Sequence, residues 1–120
     1  YPFIHFLGFK ENITEVLQQI DIFLFTSKSE GLGMAVIEAM AAQIPIVSHA
    51  STAVKEIIEH QKNGYIYTTP EEAIKYIYTL LEQPDLKKEI TQNALKSIEK
   101  FDVSLSNNQL ETLYISLLVK

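Results

Sequence analysis

The stretch Ser29-Glu30-Gly31-Leu32-Gly33-Met34-Ala35-Val36-Ile37-Glu38-Ala39-Met40-Ala41-Ala42 decides how this chain is read. An apolar run, Asp21-Ile22-Phe23-Leu24-Phe25-Thr26, leads into a turn bracketed by glycines. An alanine-rich apolar segment follows, so the order is strand, turn, helix. The first turn of such a helix carries N–H groups without intrahelical partners and a partial positive charge, which makes it an anion site. Gly31 and Gly33 allow backbone to approach a ligand with no Cβ in the way. Glu30 in the turn and Glu38 in the helix place one carboxylate at each end of whatever lies along it. These features predict a polar ligand that carries phosphate.

The rest of the chain repeats the alternation. Strands are expected at Phe3–Leu7, Ile22–Thr26, Ile44–Ser48 and Tyr65–Tyr67. Helices are expected at Asn12–Ile20, Met34–Ala42, Thr52–Glu59 and Pro70–Leu81, then from about Asp85 to Glu99 and from Ser104 to Leu118. Strands apolar on both faces and separated by helices predict an α/β fold, a parallel sheet covered on two sides. Pro70 suits the first turn of its helix, Thr69 its N-cap, and Glu71 and Glu72 complement the dipole. Pro84-Asp85 separates two helices. No repeat or linker divides residues 1–120, which are expected to form a single domain.

Composition excludes several functions. The chain has 120 residues, a formal net charge of −5 and no cysteine, so it offers neither a disulfide framework nor a thiolate metal site. All ten basic residues are lysines, without the clustered basic patch of a nucleic-acid surface. Apolar runs fall far short of the roughly 20 residues that span a bilayer, so no transmembrane segment is expected, nor a leader. His5, His49 and His60 lack metal-ligand spacing. His49 follows the third expected strand at its C-terminal end, where α/β folds bind ligands. Tyr65, Tyr67, Tyr76 and Tyr78 are expected to pack in the core and on the surface, and Gly8 and Gly64 to be structural.

Glu30 and Glu38, with seven residues between them, resemble the E-x7-E signature of retaining glycosyltransferases of the GT-B architecture, the glycosyl transferases group 1. Glu30-Gly31-Leu32-Gly33 and Glu38-Ala39-Met40-Ala41 are similar to that family's turn and helix start. Phe6-Leu7-Gly8-Phe9, Pro45-Ile46-Val47, Glu56-Ile57-Ile58, Asn63-Gly64-Tyr65-Ile66, Phe101 and Tyr114 follow in the family's order. The chain departs from the pattern at Gln43, where glycine is usual, and at Ala35, where proline is frequent. It departs again at Ala50-Ser51-Thr52, where a glycine pair normally follows the strand.

The resemblance implies the Rossmann-like, donor-binding C-terminal half of a GT-B enzyme. The first two strands of that domain would lie upstream, leaving Phe3–Leu7 without its usual neighbours. It further implies transfer of a hexose from a nucleotide diphosphate sugar to an acceptor hydroxyl with retention of configuration. Glu30 would be catalytic, and Gly31, Leu32, Gly33, Met34, Ala35 and Glu38 would bind the donor, with Glu38 on the ribose and the amides of Met34 and Ala35 on the diphosphate. No metal or other cofactor is expected, because a helix dipole and basic side chains neutralise the leaving diphosphate. The acceptor, a glycan or lipid-linked molecule in bacterial polysaccharide biosynthesis, would be held by an N-terminal domain. An isolated 120-residue chain is then expected to be inactive, and the alternative is a nucleotide-sugar-binding domain with no transferase activity of its own. The resemblance implies a cytoplasmic protein and allows a peripheral position at the inner membrane face.

Overall fold

The computed structural model describes residues 2–8, 13–26, 34–50 and 52–104. Its elements are α1 (Ile13–Leu17), β1 (Phe23–Phe25), α2 (Met34–Ala41), β2 (Ile46–His49), α3 (Thr52–Ile57), β3 (Tyr65–Tyr67), α4 (Pro70–Glu82) and α5 (Pro84–Ser104). The three strands form one parallel sheet in the order β1-β2-β3. Phe23, Leu24 and Phe25 pair with Ile46, Val47 and Ser48, and Val47, Ser48 and His49 pair with Tyr65, Ile66 and Tyr67.

The pleat sends alternate residues to opposite faces, and each face has its own core. On one, Phe23, Phe25, Ile46 and Ile66 meet Val36, Ala39 and Met40 of α2, Val54 of α3 and Ile58, with Ala94 and Ile98 of α5. On the other, Val47, Tyr65 and Tyr67 meet Ala73, Tyr76, Ile77 and Leu80 of α4 and Ile90 of α5. The long α5 therefore serves both faces. Burying apolar surface on each side, at roughly 25 cal/mol per Å², is what makes a parallel sheet with such short strands hold.

Several element ends follow from local chemistry. Thr69 caps α4 in a capping box: its side chain accepts from the Glu72 N–H while the Glu72 carboxylate accepts from the backbone N–H of Thr69, with Pro70 in the first turn. At the other end of α2 the chain closes in a Schellman arrangement. Gln43 N–H donates to the Met40 carbonyl at 3.1 Å and Ile44 N–H to the Ala39 carbonyl at 3.0 Å. Such a closure needs a left-handed residue, and that residue is Gln43, at φ 60°. Its position is one of those where the sequence departs from the resemblance described above, which leads one to expect glycine.

The structure corrects some sequence-based expectations. Phe3–Leu7 is not a strand: its described backbone is turn and coil, and Phe3 and Phe6 are 78% and 96% exposed. An apolar segment becomes a strand only where a neighbour supplies ladder partners, and among the described residues Phe3–Leu7 pairs with none of the three strands. The helix expected at Asn12–Ile20 is the shorter α1, because Gln19 and Ile20 bond three residues back, to Val16 and Leu17, and tighten the last turn. The strand expected at Ile44–Ser48 is shifted to Ile46–His49, since Ile44 is spent closing α2. No break follows Glu99; α5 runs on through Ser104, with no proline or glycine to stop it. The expected second helix beyond Ser104 lies outside the described residues.

Candidate functional site

In an open parallel sheet ligands bind at the carboxyl ends of the strands. Here that rim is formed by Phe25-Thr26, His49-Ala50 and Tyr67-Thr68, followed in the chain by α2, α3 and α4. The three helix starts are not equivalent. The start of α4 is already satisfied by its own capping box and carries Glu71 and Glu72, whose charges oppose an anion. The α3 helix has only six residues, too short to accumulate much dipole. By contrast α2 has eight residues and no acidic side chain in its first turn. Its length and the absence of a first-turn carboxylate leave the α2 start the least opposed dipole among the described helix starts of this rim.

Glu38 lies one turn along α2 from Met34 and Ala35. The buried side of this helix is Val36, Ala39 and Met40, each 0% exposed. Ala35 and Glu38 share the opposite flank and are half-buried. Glu30, Gly31, Leu32 and Gly33 lie outside the described residues. They belong to the connection that leaves β1 at the rim and enters α2.

His49 closes β2 on the same rim. The β1–β2 register pairs Phe25 with Ser48, which sets His49 level with Thr26, where the connection toward Glu30 departs. On its other side it pairs with Tyr67, whose ring it meets edge-on with centroids 5.5 Å apart at 86°. Its Nδ1 is buried and has no hydrogen-bond partner among the described residues. Among the described residues no three His, Cys, Asp or Glu side chains converge as a metal site, and no helix is long and apolar enough to cross a membrane.

A second polar cluster is structural. The side chain of Asn63, 4% exposed, accepts from the Glu59 N–H at 2.8 Å and donates to the Ile57 carbonyl at 3.3 Å and to Ser97 Oγ at 3.0 Å. Ser97 in turn donates to the Asn93 carbonyl, and Asn93 to the Lys62 carbonyl, each at 2.9 Å. Sequence reading saw Asn63-Gly64 only as a landmark, because the partner Ser97 lies 34 residues away. Gly64 is packed: a Cβ there would stand 3.1 Å from Ile58 Cγ2. Beside it, His60 Nδ1 accepts from the Ile66 N–H at 2.9 Å, and its ring packs edge-on against Tyr65 and Tyr76.

Residues 3–97, most of the chain, match the model of the family described as glycosyl transferases group 1. The chain belongs to that family. It is 30% identical over 120 residues to alpha-monoglucosyldiacylglycerol synthase of Acholeplasma laidlawii, covering 98% of this chain and 30% of that protein. The C-terminal domain of LpcC, a glycosyl transferase group 1 family protein from Francisella tularensis, superposes with a TM-score of 0.70 at 25% identity, covering 81% of this chain and 51% of that one. Anabaena HepE in complex with UDP gives a TM-score of 0.76 at 29% identity, covering 92% of this chain and 31% of HepE; HepE has also been solved with UDP-glucose. The expected α/β architecture, that of the C-terminal half of a GT-B glycosyltransferase, is therefore the one observed. The chain spans about three tenths of the length of full-length relatives such as these.

Proposed function

We propose that this chain is the donor-binding part of a retaining glycosyltransferase of the E-x7-E type, which moves a hexose from a nucleotide diphosphate sugar to an acceptor hydroxyl. The observation that supports the reading is the order of elements at the carboxyl rim of the sheet: β1 is followed by α2, which carries Glu38 one turn from its start and no acidic side chain in its first turn. Support comes from HepE, a relative in fold and sequence that holds UDP and UDP-glucose. In this reading the amides of Met34 and Ala35 take the diphosphate. Glu38 takes the ribose hydroxyls, and Gly31, Leu32 and Gly33 let the sugar lie close to the backbone. Glu30 stands nearest the reacting carbon. The charge of the leaving diphosphate is met by the α2 dipole, and no metal is assigned a role.

The acceptor, a glycan or lipid-linked molecule of bacterial polysaccharide assembly, would be held by a further domain, in a cytoplasmic protein that can sit at the inner membrane face. A second reading is a nucleotide-sugar-binding unit without transfer of its own; the three-tenths coverage of full-length relatives favours it for these 120 residues taken alone. The two readings part on turnover of UDP-glucose by the full protein, which the first requires; the 120-residue chain alone is expected to show none in either, and any above an empty-vector control overturns the second.

Two variants of the full protein test the roles. Glu38→Gln is expected to raise KM about 10- to 100-fold with kcat little changed, since a charge-assisted hydrogen bond to ribose is worth roughly 1.5–3 kcal/mol in ground and transition states alike. Glu30→Gln is expected to lower kcat, because charge develops beside it only as the diphosphate departs. Calorimetry with UDP and steady-state rates distinguish them. Reversed effects exchange the roles, and no effect from either makes both glutamates scaffold.

A further inference from the structure

We infer that the apolar outer flank of α4 and the neighbouring face of β1 form one docking groove. Its occupant is an amphipathic helix of the same polypeptide, from outside residues 1–120, laid beside α4 over Leu24. The inference rests on the packing of the sheet and is independent of the donor-site reading.

The two flanks of α4 can be told apart. Ala73, Ile77 and Leu80 turn toward the sheet and meet Val47, Tyr65 and Tyr67. Tyr76 stacks on Tyr65 with ring centroids 4.8 Å apart, and its hydroxyl lies 3.4 Å from His60 Nε2. His60 Nδ1 accepts the Ile66 N–H. The Tyr67 carbonyl accepts from Ala50, on the β2 side of β3. Backbone groups of successive strand residues point to opposite sides, so the Ile66 N–H points away from β2. His60, and with it the Tyr76 flank of α4, is therefore at the outer edge of β3. At about 3.6 residues per turn, Ile74, Tyr78 and Leu81 fall on the other flank, the one toward β1. They are 54%, 61% and 54% exposed, and their spacing of four and three residues is that of a helix–helix seam.

Leu24 pairs with Val47 and so stands on the same face of the sheet as α4, yet it is 45% exposed. The other large apolar side chains exposed among the described residues belong to Phe3–Leu7, which leads through α1 into β1. The hand of the fold says where such a lead-in comes from. Both α2 and α3 pack on the face opposite α4 and carry the chain from β1 to β2 to β3, and Leu17 of α1 packs on that same face. Crossovers between parallel strands keep one hand, so a strand reaching β1 through α1 lies beyond the free edge of β1. Parallel sheets are covered on both faces, and a helix is what covers them. The C-terminal domain of LpcC supplies the length: this chain's match covers 51% of it, so about half of that domain lies outside the match.

The test places a photocrosslinker in the groove of the full-length protein, as Tyr78→p-benzoylphenylalanine. Irradiation is expected to join position 78, within a single chain, to a segment outside residues 1–120, read by peptide mass spectrometry on the monomer. A crosslink between two copies, one to another part of these 120 residues, or none in a folded variant overturns the inference. Tyr78→Asp is expected to lower the thermal midpoint of the full-length protein by about 4 °C or more, as burial of a charge against apolar neighbours does. Gln92→Asp, at an exposed position of α5, is expected to stay within about 2 °C. Equal midpoints for Tyr78→Asp and the unaltered protein overturn the inference. If the crosslinker variant does not fold, hydroxyl-radical footprinting of the unaltered protein decides. Relative to the denatured state, Tyr78 and Leu81 are expected to be protected as strongly as the buried Tyr67 and Leu80. Protection as weak as that of the exposed His60 overturns it.

Discussion

Gln43 shows how one residue can strain a closure that the fold requires. It occupies φ 60° at the end of α2, where a β-carbon costs roughly 1–2 kcal/mol. Glycine at this position would remove that cost, although its greater freedom in the unfolded chain takes back about 0.5–1 kcal/mol. Gln43→Gly is therefore expected to stabilise the protein by roughly 0.5–1 kcal/mol, read as a raised denaturant midpoint with unchanged slope. A lower midpoint would mean that the Gln43 side chain makes a contact worth more than the strain. The departure from the family pattern was visible in the sequence. Its conformational cost was not, because no residue type states its own φ.

At the scale of elements, the capping of α4 ties stability to pH. Glu72 accepts from the Thr68 hydroxyl first of all, then from the backbone N–H groups of Thr68 and Thr69, and these bonds hold its carboxyl down at about 2, against 4.5 for a free glutamate. A depressed folded-state value stabilises the fold above pH 4.5, and that contribution is lost as pH falls from 4.5 toward about 2. Glu72→Gln is expected to melt lower than the unaltered protein at neutral pH, with the difference closing across that acid window. Thermal midpoints of both proteins between pH 7 and pH 2 read it directly. A gap that stays constant with pH would assign the effect to side-chain shape instead of charge. The Thr69 cap and Pro70 start were legible from sequence because capping is local. The α2 closure and the short α1 depend on what each helix packs against.

At the scale of the whole molecule, Asn63 ties the entry of β3 to α5. Its three side-chain bonds join the end of α3, the turn before β3 and Ser97, so two layers of the fold share one buried amide. Asn63→Ala leaves the Glu59 N–H and the Ile57 carbonyl without their partner. It is expected to cost roughly 2–3 kcal/mol, with the Tm lowered and the transition still cooperative. Asn63→Asp offers no relief, because a carboxylate cannot donate to the Ile57 carbonyl. A loss under about 0.5 kcal/mol in urea titration would show that water replaces the amide and that α5 docks by apolar contact alone. The same scale governs β1. Leu24 is 45% exposed beside Val47, which is fully buried, because among the described residues β2 has a strand on both sides and β1 on one.

By itself the sequence determined the alternation of strands and helices and the parallel sheet, and its run of landmarks pointed to the family. These follow from short-range periodicity and local chemistry, which a linear chain carries in full. Tertiary structure alone decided that Phe3–Leu7 is no strand, since a strand exists only through its neighbours. It decided that Gln43 takes the left-handed conformation and that Asn63 reaches Ser97. It decided, too, that His49 ends the central strand with Nδ1 enclosed and without a hydrogen-bond partner among the described residues. Each of these depends on residues brought together from distant parts of the chain, and the free energy of such contacts does not exist until the layers have closed.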